Sequence, residues 1–174
     1  PSELIIWFVD AFGVSETAAH WLSHCVAIVI LVVLASLTNG LVKGIALKVI
    51  RSVVKHSGGK FGNALLEARF FQRLSHLAPA ILVKFVAPWF FAGSASLLGL
   101  AEAVVNVYLV VIGLVAFDAL LNAGLVVYQN FEIAKRLPLR GLSQALKILI
   151  NATGVIFVLS ILFDKSPLYF ISGL

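Results

Sequence analysis

The feature that most constrains this chain is a stretch without formal charge that runs from Thr17 to Val42. A helix needs about 20 consecutive apolar residues to cross the ~30 Å hydrocarbon core of a bilayer, and this stretch exceeds that length. No water is present in the bilayer core to satisfy backbone polar groups, so a long apolar run favours a helix that bonds internally. The stretch therefore predicts a membrane-spanning helix.

Composition extends this prediction to the whole chain. Hydrophobic residues make up 61% of the sequence and charged residues 12%, whereas soluble domains have about 45–50% and about 25%. The mean hydropathy is +1.06. A chain of 174 residues has room for about four or five spans. We therefore expect a single membrane domain over residues 1–174, belonging to the all-α class of polytopic helical membrane proteins.

Four spans and one interfacial helix are predicted. The apolar segments place the spans at about 19–41, 77–98, 103–128 and 142–163. Residues 2–12 are apolar but too short to cross, so we expect an interfacial helix with Trp7 at headgroup level. Gly13 should end this helix, and Ser15 is the expected N-cap of the next one. The second span contains Pro88, which should kink it. A fifth span is expected to begin at the C-terminus.

The charges predict the orientation. Seven basic residues and one acidic residue lie between Lys43 and Arg73, and three acids with no base lie in residues 1–19. The positive-inside rule then places the loops 43–76 and 129–141 in the cytoplasm and the N-terminus outside. Basic loops beside a membrane attract anionic headgroups. We therefore expect membrane lipids as partners and no nucleic acid.

Two charged residues lie well inside predicted spans, Lys84 and Asp118. With the turn between these spans expected at residues 99–102, both residues are 17 positions from its middle, residue 101. They are therefore expected to face each other at equal depth, because an unpaired charge costs ~2.5–3.5 kcal/mol at a span centre. The pair could form a proton or ion relay, or it could fix the register of the hairpin. Alternatively, Lys84 could snorkel to the interface.

Few residues suggest binding or catalysis. His20 and His24 share one helix face beside Cys25, which makes them weak candidates for a metal site. Two ligands from one helix are a weak signal for a metal site, and no matching cluster of His, Cys or acidic residues occurs elsewhere in the sequence. Asparagines 106, 122 and 151 suggest hydrogen bonds between helices. We therefore predict no metal, no cofactor and no enzymatic activity.

The C-terminal third carries the strongest pattern. A basic lead-in enters an apolar helix, a charged turn follows at Asp164, Lys165, Ser166 and Pro167, and a new apolar segment then reaches Gly173. Because the chain ends inside this segment, we expect it to be the front part of a longer protein.

This region, residues 138–174, reads PLRGLSQALKILINATGVIFVLSILFDKSPLYFISGL. It resembles the mechanosensitive channels of small conductance (the MscS-like family), and it is most similar to their five-span miniconductance branch. The resemblance implies a homo-oligomeric ring, usually of seven subunits, which releases ions and small solutes under hypo-osmotic stress. It also implies that residues 164–167 and Gly173 link the last span to a pore-lining helix. That helix and the family's cytoplasmic domain are absent from these 174 residues.

Two other functions remain open at the sequence level. A secondary transporter, or a fragment of one, could use Lys84 and Asp118 as a coupling pair, which interrupted helices at mid-membrane would favour. A membrane enzyme or redox subunit could use His20 and His24 with a bound metal or haem.

Overall fold

A computed structural model describes residues 6–7, 9–11, 13, 15–57, 60–91, 93–129 and 139–173. The described residues between 6 and 11 are helical, although their predicted interfacial position remains a prediction. The helices that follow are α1 (Glu16–Ser57), α2 (Lys60–Glu67), α3 (Phe70–Leu74), α4 (Leu77–Phe90), α5 (Ala95–Gln129), α6 (Arg140–Phe163) and α7 (Pro167–Ile171). In the described part of the chain, every regular element is a helix. The predicted all-α class is confirmed.

Helix α1 is one unbroken element of 42 residues, which at 1.5 Å per residue is about 63 Å long. Gly13 precedes it with a positive φ of 58° and donates its N–H to the carbonyl of Val9 at 3.0 Å. Ser15 then caps α1, because its Oγ accepts the backbone N–H of Ala18 at 3.4 Å. Both sequence-predicted signals are confirmed. The helix carries the first predicted span and continues through the basic segment that follows it.

Three helices are long and apolar enough to cross a membrane within the described residues: Thr17–Ile50, Ala95–Gln129 and Gly141–Phe163. The protein is therefore membrane-embedded. The predicted second span, 77–98, does not form one helix, since α4 has 14 residues and covers about 21 Å. The predicted total of four spans is thus not confirmed.

The turn between α4 and α5 lies earlier than predicted. Helix α4 ends at Phe90, α5 begins at Ala95, and the N–H of Ser94 reaches the carbonyl of Phe91 at 2.9 Å. The predicted turn at residues 99–102 was wrong, because Gly99 and Glu102 lie inside α5. The adjacent Gly93 and Ser94 are the stronger turn signal, and the single charge of Glu102 did not end the helix.

The basic segment before α4 is divided at Arg69. Its backbone has φ 55° and ψ 26°, in the left-handed region, where a non-glycine residue costs roughly 1–2 kcal/mol. The change of direction lets Phe70 and Phe71 pack against a small core made of Ala64, Leu65 and Ala123. Helices α2 and α3 are thereby attached to the C-terminal half of α5.

A second core joins α1 to α4. Ala27 and Leu31 of α1 pack against Ala87 and Phe91, with side chains from the start of α5 around them. Among the described residues, eight of the thirteen buried hydrophobic side chains are alanines. Small residues allow close approach of helices in a membrane, where lipid tails provide no hydrophobic drive between them.

Helix α6 packs tightly against α5 at Gly154. A Cβ atom added there would collide with the side chain of Leu114. Gly154 is buried although it has no side chain, so the glycine sets the distance between these two helices.

We expect Gly154→Ala to destabilise the protein by about 1–3 kcal/mol, because the added methyl group overpacks this contact. The measurement is reversible unfolding in mixed detergent and SDS micelles, followed by circular dichroism. Gly113→Ala is the control, since an added Cβ at Gly113 meets nothing within 4 Å. Equal stability changes in the two variants would contradict the close-contact assignment.

Candidate functional site

Two basic side chains meet at the carboxylate of Asp118 on α5. The ammonium group of Lys147, on α6, lies 2.7 Å from Asp118 Oδ1. The guanidinium of Arg73, on α3, lies 3.6 Å from Oδ2. One carboxylate therefore contacts two cations that come from two other helices.

Asn122 completes the network one turn along α5. Its Nδ2 donates to Asp118 Oδ2 at 3.0 Å, and its Oδ1 accepts from Lys147 Nζ at 2.7 Å. The side-chain amide thus bridges both members of the ion pair. Because the amide bonds to both side chains, it restricts their rotamers, and the Asp118–Lys147 ion pair between α5 and α6 has a defined geometry.

Arg73 is held by a further bond. Its Nη1 donates to the backbone carbonyl of Val115 at 2.7 Å. Arginine carries five N–H donors in a planar fork, so it can donate hydrogen bonds to a carbonyl and to a carboxylate at the same time. The short helix α3 is therefore bonded to both the backbone and a side chain of α5.

The network is partly accessible, with relative side-chain exposures of 35% for Arg73, 41% for Asp118 and 27% for Lys147. Asp118 is 23 residues after Ala95, which is about 35 Å along the helix axis. This distance is close to one hydrocarbon thickness of ~30 Å. If α5 begins at one membrane boundary, the network lies near the opposite boundary.

The predicted Lys84–Asp118 pair is not formed. Lys84 Nζ instead donates to Asn106 Oδ1 at 2.9 Å, and Asp118 contacts Lys147 and Arg73. Because the turn lies before Ala95, Asn106 is much nearer to the level of Lys84 than Asp118 is. The predicted register was wrong because it was centred on residue 101.

The two histidines of α1 do come together. The rings of His20 and His24 stack with centroids 4.6 Å apart and planes inclined by 22°. His24 is buried and His20 is exposed, while the thiol of Cys25 is free and exposed. Among the described residues, no group of three or more His, Cys, Asp or Glu side chains could hold a metal ion.

The residues expected to form the exit turn do end α6. Asp164 has φ 50° and ψ 44°, and its N–H bonds the carbonyl of Ser160. The N–H of Lys165 reaches the same carbonyl at 3.1 Å, and the Ser160 hydroxyl donates to the Lys165 carbonyl. Ser166 is extended and Pro167 occupies the first turn of α7. Gly173 follows with φ 80°.

Comparison of the chain with protein-family models, curated proteins and solved structures finds no match.

Sequence reasoning missed Arg73 and Lys147 as partners of Asp118. A signal for Lys147 was available in the next hairpin. The middle of the predicted 129–141 loop is residue 135, and Asn122 and Lys147 lie 13 and 12 positions from it. The same depth argument would have paired them. Arg73 had no such signal, because its position depends on the break at Arg69.

We expect a double-mutant cycle of Lys147→Met and Asp118→Asn to give a coupling energy of about 0.5–1 kcal/mol, as for polar pairs between membrane helices. Partial exposure keeps the value small. The measurement is unfolding in SDS-containing micelles. Replacing Asp118 with Asn and Lys48, an exposed lysine of α1, with Met provides the control cycle. Additive effects in both cycles would contradict direct coupling.

A second prediction concerns Asp164. We expect Asp164→Val to destabilise the end of α6 by roughly 1–2 kcal/mol, because a β-branched residue is strained at positive φ. Asp164→Gly should be neutral or stabilising, because glycine adopts this conformation without strain. The unfolding free energies of the two variants provide the test. If valine and glycine behaved alike, the left-handed conformation at this position would be refuted.

Proposed function

We propose that this chain is the tension-sensing transmembrane portion of a mechanosensitive ion channel of the MscS-like type. In this proposal it acts in a bacterial inner membrane with its N-terminus in the periplasm. It assembles as a homo-oligomeric ring, of seven subunits if it follows the family, and it contributes to the release of ions and small solutes on hypo-osmotic stress. The role is that of a channel subunit, not an enzyme.

The observation that carries the proposal is the network around Asp118. It links α3, a short helix in the predicted cytoplasmic segment, through α5 to Lys147 of α6. Helix α6 leads to the break at Asp164. A displacement of α3 or α5 is therefore transmitted to α6 through charged hydrogen bonds, and it arrives at the exit turn.

The apolar surfaces of the long helices supply the contact with lipid. Exposed large side chains on α1 include Val29, Val32 and Leu37, and those on α6 include Ile148 and Leu149. Stretching thins a bilayer, and the mismatch then costs a fraction of a kcal/mol per ångström for each helix. A state with more tilted helices and a larger in-plane area is favoured under tension.

The form of the α6–α7 junction also supports the proposal. The family resemblance lies in residues 138–174, and it implies a span, a turn and a new helix. A span ending at Phe163 and a helix starting at Pro167 agree with that order. The transporter alternative has less support, because its Lys84–Asp118 pair is replaced by separate contacts.

The test is patch-clamp recording of the complete gene product containing residues 1–174, reconstituted in liposomes under graded suction. We expect openings whose probability rises with tension. Lys147→Met should lower the tension at half-maximal opening, since it removes the bond that holds α6 against α5 in the resting state.

Lys48→Met is the matched control and should leave the opening tension unchanged. It removes the same charge from an exposed position of α1. Silent patches with protein shown to be present would overturn the channel proposal. If Lys147→Met and the unchanged protein open at the same tension, the channel proposal stands. That result would reject the Asp118 network as the route by which tension reaches α6.

A further inference from the structure

A cavity of about 490 Å³ lies between the first turns of α1 and the start of α5. Its polar lining comes from Thr17, His20 and His24 of α1, and from Ser94 and Ser96 at the α4–α5 turn. Trp21 adds an aromatic wall. This site is remote from the Asp118 network, and the proposed function does not use it.

The hydrogen bond of His24 defines its tautomer. Its Nδ1 lies 2.8 Å from the backbone carbonyl oxygen of His20. A carbonyl oxygen only accepts, so Nδ1 carries the proton and Nε2 of the neutral ring carries the lone pair. Histidines that bind metals usually donate their other ring nitrogen to a carbonyl or carboxylate in this way.

The spacing of the two rings suits a shared ion. His20 lies one turn before His24 on the same helix face, and the ring centroids are 4.6 Å apart. Two nitrogens bound to one tetrahedral zinc at ~2.0–2.1 Å lie roughly 3.4 Å apart. The two stacked rings must therefore rotate about their side-chain torsions so that one nitrogen of each points at a common ion.

We propose that His20 and His24 form a binding site for one divalent transition-metal ion of the Zn²⁺, Ni²⁺ or Cu²⁺ class. Imidazole nitrogen suits these ions, whereas Mg²⁺ and Ca²⁺ take oxygen ligands. Two protein ligands leave the remaining positions to water. The hydroxyl groups of Ser94 and Ser96 line the same cavity and can accept hydrogen bonds from metal-bound water. Such an ion links α1 to the start of α5.

The nearby thiol requires a control, because Cys25 is free and exposed and thiolates bind the same ions. Neighbouring positions on a helix do not face the same direction, so Cys25 is not included in the site. The test therefore uses the Cys25→Ser protein. This protein is purified in detergent without a polyhistidine tag, because such a tag would itself bind the metal. The pH is mildly alkaline, so that imidazole is neutral.

Calorimetry with Ni²⁺ should give one ion per chain. His20→Ala and His24→Ala should each weaken binding by about tenfold or more, since even outer partners of a ligand contribute 10–100-fold. His76→Ala, which removes a histidine between α3 and α4, should leave the affinity unchanged. The paramagnetic resonance spectrum of bound Cu²⁺ should show two coordinated imidazole nitrogens, and His20→Ala should show one.

His20→Ala is the decisive variant, because His20 is exposed and its removal leaves the packing intact, which circular dichroism checks. His24 is buried and stacks near Phe91, so its variant also probes folding. Equal Ni²⁺ affinities for His20→Ala and His76→Ala would overturn the site. A Cu²⁺ spectrum without two imidazole nitrogens would overturn it as well.

Discussion

The arrangement of α3, α5 and α6 depends on one carboxylate. Asp118 is held between Lys147 and Arg73, and each of the three comes from a different helix. The three side chains are partly exposed, so each ion pair contributes little by itself. Together the contacts link three helices through one carboxylate. Asn122 increases the specificity of this arrangement, because its amide accepts from Lys147 and donates to Asp118 at the same time.

The apolar packing has a different character. Lipid tails are as apolar as leucine, so burial between helices gains little, and contact depends on close approach. Ala27 and Ala87 allow this between α1 and α4, and Gly154 allows it between α5 and α6. Larger residues such as Val29 and Phe85 remain on the outside. The shape of the bundle is thus set by where small residues occur, and its attachment to the bilayer by where large ones occur.

The sequence was sufficient for features that depend on local chemistry. The uncharged run after Thr17 predicted α1, Ser15 predicted its cap, and the residues after Phe163 predicted the end of α6. It was insufficient where two local signals competed. The turn was assigned to residues 99–102 rather than to Gly93 and Ser94, and that error paired Lys84 with Asp118 instead of Asn106. The position of Arg73 could not be predicted, since it depends on the left-handed backbone at Arg69, which accompanies tertiary packing of the following phenylalanines.

The earlier turn also explains how α5 tolerates its charge. A helix of 35 residues is about 52 Å long, well beyond the ~30 Å hydrocarbon core. With the predicted turn, Asp118 would have been inside the core and in need of a partner there. If α5 starts at one membrane boundary at Ala95, Asp118 lies about 35 Å along the axis, beyond a hydrocarbon core of ~30 Å, where water or headgroups can solvate it. In the same placement Lys84 lies near mid-membrane, since its partner Asn106 is about 17 Å along α5. The amide oxygen of Asn106 partly offsets the cost of a cation at that depth, and the long lysine stem allows the ammonium group to move toward the interface.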